Sequence, residues 1–230
     1  MNQRRLVLER VDNVRDLGGY PIGEKGITKW QCFLRSADLA DISDGDKDLL
    51  YDYGVRTVIN LKAVGETDNP IETDKRFLYR HVPLFDNFEI LADDAKDYGG
   101  NISMAVLHVF TPRIKDIFHI IAERIDSGGV LFHCLAGKDR TGLIAVLLLL
   151  LAGVSKLDIL ADYMTSLFYV RPVVQRLHKS KDDIHINPDE IEETIAEIES
   201  RFHGIERYFR DIGVSLDDIE KIKARFIMNP

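Results

Sequence analysis

The spacing of hydrophobic positions changes several times along the chain, and each change predicts an element. Residues 55–61 (VRTVINL) are rich in β-branched side chains and bounded by turn formers, which predicts a buried strand. Residues 79–84 (YRHVPL) predict a second core strand, and 130–134 (VLFHC) a third. Ile114, Ile117, Phe118, Ile121 and Ile125 recur at helical spacing. That stripe starts at Thr111–Pro112, where Thr caps and Pro tolerates the first turn, and ends at Ser127-Gly128-Gly129. Ser43 caps a helix running to about Tyr53, with Gly54 as its stop. The nearly continuous apolar segment 143–154 predicts a buried helix beginning near Arg140, and Ser155 with Asp158 caps the next one, KLDILADYMTSL.

Toward the C-terminus, Ile191, Ile195, Ile198, Phe202, Ile205, Phe209 and Ile212 alternate spacings of four and three. A short coiled coil and a helical hairpin packed on the core both fit this stripe, and the interruption at Gly204 favours the hairpin. Ser215 with Asp218 caps a last helix. The opening stretch 13–28, with its Gly18–Gly19 pair, predicts loops and short edge strands, and the acidic stretch 86–101 with Gly99–Gly100 predicts a mobile loop. Strands alternating with helices give an α/β fold. A single domain is expected, with an α/β core over 1–170 and a helical extension over 171–230.

Composition narrows the function classes. Hydrophobic residues make up 45% of the chain and charged residues 30%, which suits a buried core with a solvated surface. The net charge of −8 argues against general nucleic-acid binding, which needs clustered Lys and Arg. The longest apolar run has 12 residues, too few to cross a bilayer, so stable membrane insertion is not expected. Basic residues at the N-terminus are followed by no long apolar stretch, so no secretory signal is read. Cys32 and Cys134 are too few for a disulfide framework and suit a reducing compartment. A cytoplasmic location is expected, with export lacking a visible signal as the alternative.

The chemistry is concentrated in His133-Cys-Leu-Ala-Gly-Lys-Asp-Arg-Thr-Gly142. A cysteine followed six places later by arginine is weak evidence alone: with 17 Arg in 230 residues, chance supplies it about 15% of the time. Here the pair lies between a strand and a helix, with Gly137 inside the loop and Thr141–Gly142 after the arginine. A loop so placed can aim its backbone N–H groups (Leu135, Ala136, Gly137, Lys138, Asp139, Arg140) at one centre, and the helix N-terminus adds its own. That field favours the thiolate of Cys134, which attacks phosphorus to form a phosphocysteine that water then cleaves. Arg140 offers a planar fork for two phosphate oxygens, which lysine cannot match. Thr141 can donate its hydroxyl to the departing sulfur. His133 is read as a buried residue shaping the loop, and Cys32, without such neighbours, as structural. A Walker A reading fails because Asp139 follows Lys138, and the chain has no C-x-x-C pair for zinc or redox work. A non-catalytic phosphate-binding module and a rhodanese-type sulfurtransferase are the alternatives to a phosphatase.

The loop HCLAGKDRTG resembles that of the bacterial and fungal tyrosine phosphatases of the atypical dual-specificity kind, within the protein-tyrosine-phosphatase superfamily. Segments NVRDLGGY (13–20), LRSADL (34–39), GVRTVINLK (54–62) with Glu66, and ADYMTS (161–166) are similar to segments of that family. The resemblance implies a mostly parallel sheet of four or five strands flanked by helices, no metal or cofactor, and a C-terminal helical lid region near the site. It implies activity on phosphotyrosine and, in several members, on phosphoserine/threonine or phosphoinositides. Lys138 is the loop residue expected to meet a second phosphate of a phosphoinositide. The chain departs from the pattern at Asn60-Leu61-Lys62, where the family often has Asp-Leu-Arg, and at 170–188, an insertion expected to alter the lid. The general acid is expected to be Asp139, with Asp86 as the alternative.

Overall fold

Alternation along three short strands decides which face of the sheet each residue serves. The computed structural model describes residues 3–24, 26–66, 69–176 and 187–228. In β3 (Phe33–Ser36), β4 (Val55–Asn60) and β6 (Gly129–His133), the residues Phe33, Ile59, Val130 and Phe132 join one hydrophobic cluster. Leu34, Val58 and Leu131, between them in sequence, join a second cluster on the opposite face. With β1 (Arg15–Asp16) and β5 (Leu78–His81) these strands form a five-stranded sheet in the order β1-β3-β6-β4-β5, parallel except for β1. A separate antiparallel pair joins β2 (Ile27–Thr28) to β7 (Ile227–Met228), tying the C-terminal segment back to the N-terminal loops.

The second cluster is covered by α1 (Asp44–Tyr53) and the N-terminal segment. Ser43 accepts from the Asp46 backbone N–H in a capping box, and Gly54 closes α1 at φ 110°. The first and larger cluster lies under α2 (Phe88–Lys96), α3 (Ile102–Val109), α4 (Thr111–Arg124), α5 (Asp139–Ala152) and α6 (Lys156–Arg176). It also receives α7 (Pro188–Ser200), α8 (Ile205–Asp211) and α9 (Leu216–Phe226). Helix α5 is buried nearly all round, which accounts for its apolar run. Among the described residues no helix is long and apolar enough to cross a membrane.

Several expectations need correction. Residues 79–84 do not form a core strand: β5 is the edge of the sheet, stops at His81, and is half-buried to exposed. The stretch 86–101 is not a loop but holds α2 and the approach to α3. Its acidic face hides Leu91 and Ala95, which reach the core, while Asn101 caps α3 by accepting from the Met104 N–H at 3.0 Å. The glycines at 99 and 100 (φ 65° and 88°) only turn the chain between the two helices. Thr111 is the first residue of α4 and makes no capping hydrogen bond. The 191–212 stripe is a pair of helices packed on the core, with Ile191, Ile195, Ile198 and Phe209 buried, and no coiled coil. The expected insertion at 170–188 falls largely outside the described residues.

Candidate active site

Register brings the strand ends together. His133, last in β6, lies opposite Ser36 of β3 and Asn60 of β4, so the loop that follows leaves the sheet between two parallel neighbours. Crevices at the carboxyl ends of parallel strands are where such sheets bind ligands. Cys134 follows at 2% exposure, and Arg140, in the first turn of α5, is 9% exposed. The two expected anchor residues therefore stand at either end of one tight loop.

The loop is held from outside. Asn13 donates through Nδ2 to the carbonyls of Ala136 and Gly137, both at 3.0 Å. Arg35 donates to Gly137 O at 2.8 Å and Lys138 O at 3.3 Å, and the Asp38 N–H to Leu135 O at 3.1 Å. In a trans peptide the N–H points opposite to the C=O. Tying these four carbonyls outward turns the N–H groups of residues 136 to 139 to the other side, where an anion can meet them. Gly137 is required here: its φ is 66°, and a Cβ would stand 2.3 Å from Ser36 O.

The ties are anchored by a buried charge network. Asp162 on α6 accepts from Arg15 Nε at 2.8 Å, Arg35 Nη1 at 2.6 Å and the Tyr20 hydroxyl at 3.1 Å. Arg15 also donates to Asn13 Oδ1 and to Ser166 Oγ. Burial alone would raise the Asp162 pKa, but the two guanidiniums outweigh it and hold the carboxyl well below the usual range. Burial pushes Arg35 down to about 10, with Arg15 adding to the fall and Asp162 opposing it.

Arg140 is aimed by Glu66. Its Nη1 donates to Glu66 Oε2 and its Nη2 to Glu66 Oε1 at 3.1 Å, while the Phe85 ring lies 4.9 Å from the guanidinium carbon. This grip uses the Nη1/Nη2 side of the fork and leaves the Nε/Nη2 side for an incoming oxyanion. Burial works against the charge on Arg140, yet Cys134 and Glu66 more than offset it and its pKa is raised. Among the described residues no three His, Cys, Asp or Glu side chains converge so as to hold a metal.

A strand-ending cysteine, a loop of outward-tied carbonyls and an arginine at the helix start point to phosphate chemistry, and comparison with known proteins agrees. Residues 6–228 match the family model described as the tyrosine phosphatase family. The chain belongs to the tyrosine phosphatase family. A tyrosine-protein phosphatase of Nostoc commune is 32% identical over 216 residues, 84% of this chain and 73% of its own length. A putative tyrosine-protein phosphatase of Cupriavidus necator is 30% identical over 181 residues, 70% of this chain and 62% of its own. Among solved structures, that of P. aeruginosa TpbA covers 72% of this chain and 87% of its own at 18% identity, a loose likeness with a TM-score of 0.38. The protein is thus a tyrosine-phosphatase-type enzyme, which displaces the sulfurtransferase and non-catalytic readings.

Within this tyrosine phosphatase the two acid candidates stand in different places. Asp139, half exposed in the loop, pairs with Lys138 at 2.9 Å and hydrogen-bonds the Tyr163 hydroxyl. Asp86 follows Phe85 in sequence but is 65% exposed and turned to Arg113 at 3.4 Å. Thr141 is fully buried, and its Oγ1 has no hydrogen-bond partner among the described residues, which leaves it a proton to donate. The departures at 60–62 serve the scaffold: Lys62, fully buried, pairs with Asp38 at 2.8 Å, and Asn60 bonds the Lys62 N–H and the Tyr79 hydroxyl. Cys32 lies away from the loop, its thiol donating to Arg225 O and pushed up to about 11 by burial.

His133 is fully buried, with Asn69 Nδ2 3.0 Å from Nε2, so Nε2 accepts and the ring is neutral with its proton on Nδ1. Burial, with Lys62 nearby, pushes its pKa down to about 3. Between that value and the unfolded one near 6.5, the unfolded chain binds a proton that the folded chain does not. Stability therefore falls as pH falls through this window, by about 1.4 kcal/mol per unit from this residue. Urea unfolding between pH 7 and 5 is expected to show that slope and His133→Gln to reduce it, with His108, also lowered by burial, supplying part of the remainder. An unchanged slope in His133→Gln contradicts the neutral buried ring.

Proposed function

We propose that the enzyme hydrolyses phosphotyrosine through a phosphocysteine intermediate on Cys134, and that it belongs to the atypical dual-specificity kind of tyrosine phosphatase. The observation that carries the reading is the loop itself: four carbonyls tied outward between a nearly buried cysteine and an arginine whose Nε/Nη2 edge is left for phosphate. The Cys134 sulfur attacks phosphorus as the ester P–O bond breaks, and the leaving oxygen takes a proton from a general acid. Water then cleaves the S–P bond, releasing inorganic phosphate, with the Thr141 hydroxyl donating to the sulfur as it leaves. The relatives' names, tyrosine-protein phosphatases both, support phosphotyrosine as the substrate. Activity on phosphoserine/threonine or phosphoinositides is the finer part of the proposal and rests on Lys138 in the loop. Turnover of a panel of phosphopeptides and phosphoinositides by the purified protein tests it: hydrolysis of none of the phosphotyrosine members would overturn the reading.

The general acid is assigned to Asp139, with Asp86 as the competitor. Position supports Asp139, which lies in the loop, whereas Asp86 is turned to Arg113. A well-placed acid contributes about 10²–10⁴-fold, most for the leaving group that most needs a proton. Asp139→Asn is expected to lose more activity as the leaving-group pKa of an aryl phosphate rises, and Asp86→Asn to lose the same small factor throughout. The reverse pattern moves the role to Asp86, and two flat profiles remove it from both.

A further inference from the structure

Beside the phosphate loop lies a second hollow of about 470 Å³, at the carboxyl ends of β4 and β5. Asn60, Glu66, Asn69, Glu72, Tyr79 and His81 line it, with the backbone turn 63–65. It adjoins the catalytic centre on three counts. Asn60 stands opposite His133 in the sheet, Asn69 bonds the His133 ring, and Glu66 grips Arg140. Its volume lies within the range of sites that take small ligand groups.

The charged side chains of the lining are one-sided: it holds two carboxylates, Glu66 and Glu72, and no Lys or Arg. Asn60 Nδ2 donates to the Tyr79 hydroxyl at 2.8 Å, and Asn69 Nδ2 to His133. His81 Nε2 lies 2.8 Å from Lys62 O, so it donates there. The neighbouring ammonium, Lys62, is fully buried and paired with Asp38. Glu72 is exposed and has no ion-pair partner among the described residues. Glu66 already gives both oxygens to Arg140, so the carboxylate left to face a ligand is Glu72, and its complement is a cation with several N–H groups.

We infer that this hollow receives the guanidinium or ammonium of an Arg or Lys flanking the phosphotyrosine, so that the enzyme selects basic phosphopeptides. The inference rests on the tyrosine phosphatase reading. It makes Glu72 a specificity residue outside the catalytic machinery, with Glu66 shared between hollow and clamp. A flanking cation would lie near the Arg140–Glu66 pair without competing for the phosphate loop.

The test uses matched phosphotyrosine peptides in which a flanking Arg is kept or replaced by citrulline or Glu, with a small aryl phosphate as the peptide-free control. The native enzyme is expected to favour the Arg peptide over the citrulline peptide by at least about five-fold in kcat/KM, mostly through KM, with the preference fading as salt rises. Glu72→Gln is expected to bring the ratio near one and Glu72→Lys to favour the Glu peptide, both leaving aryl phosphate turnover unchanged. Equal kcat/KM for all peptides in the native enzyme, or a preference that survives both Glu72 variants, overturns the inference alone. Hydrolysis of the aryl phosphate but of no peptide overturns the phosphotyrosine reading and this inference with it.

Discussion

Cys134→Ser is expected to abolish turnover of phosphotyrosine peptides while leaving the binding of phosphate or tungstate nearly intact. A serine hydroxyl stays protonated at neutral pH and is a poor nucleophile in the absence of an adjacent base. The neighbouring ring cannot be that base, since His133 Nε2 is engaged by Asn69 and its proton sits on Nδ1. Binding survives because the cradle is backbone: the bonds from Asn13, Arg35 and Asp38 that hold it involve no atom of Cys134. Calorimetry with the anion and a discontinuous phosphate assay separate the two effects. Retention of more than a few per cent of activity would sink the nucleophile assignment. Loss of anion binding along with turnover would show that the thiol shapes the loop.

Arg140→Lys is expected to cost about 2–4 kcal/mol of transition-state stabilisation, a fall of roughly 30- to 1,000-fold in kcat/KM. The native guanidinium gives its Nη1/Nη2 side to Glu66, and the proposed mechanism asks its other side to hold the substrate phosphate at the same time. An ammonium keeps the charge but has no second edge, so holding Glu66 and spanning two phosphate oxygens become competing demands. It also gives up the face laid against Phe85. The loss should appear in kcat as well as KM, because the equatorial oxygens spread apart only in the transition state. Near-native kcat/KM in the Lys variant contradicts the clamp.

The legible parts of the molecule were those whose signal is local. Ser43 with Gly54 and Ser215 with Asp218 mark α1 and α9 because capping is settled within one helical turn. Strands β4 and β6 and the loop at 133–142 were readable for a similar reason: β-branched runs and a contiguous motif need no distant partner. The misreadings came where tertiary contacts decide. An acidic composition and a glycine pair made 86–101 look like a loop. Helix α2, with Leu91 and Ala95, packs on α3, and α3 packs on α7, about ninety positions later, where Glu190 O accepts from Asn101. The supports of the site were hidden in the same way. Arg15 meets Asp162 across 147 positions and Glu66 meets Arg140 across 74. The segments NVRDLGGY, LRSADL and ADYMTS were visible by resemblance, but nothing within them tells that Asn13, Arg15, Arg35 and Asp162 converge behind one loop. Asn60 and Lys62, where the chain departs from the family's pattern, brace the strand ends.

The central claim is a covalent phosphoryl group on one sulfur, and the measurement that meets it most directly is capture of that species. The enzyme would be mixed with a rapidly cleaved aryl phosphate, quenched in acid within the first turnover, digested and read by mass spectrometry. The account predicts one added phosphoryl group on the peptide carrying Cys134, at its highest during the burst of aryl alcohol release. Phosphate found on another residue, or a burst with the Cys134 peptide unmodified, would contradict it.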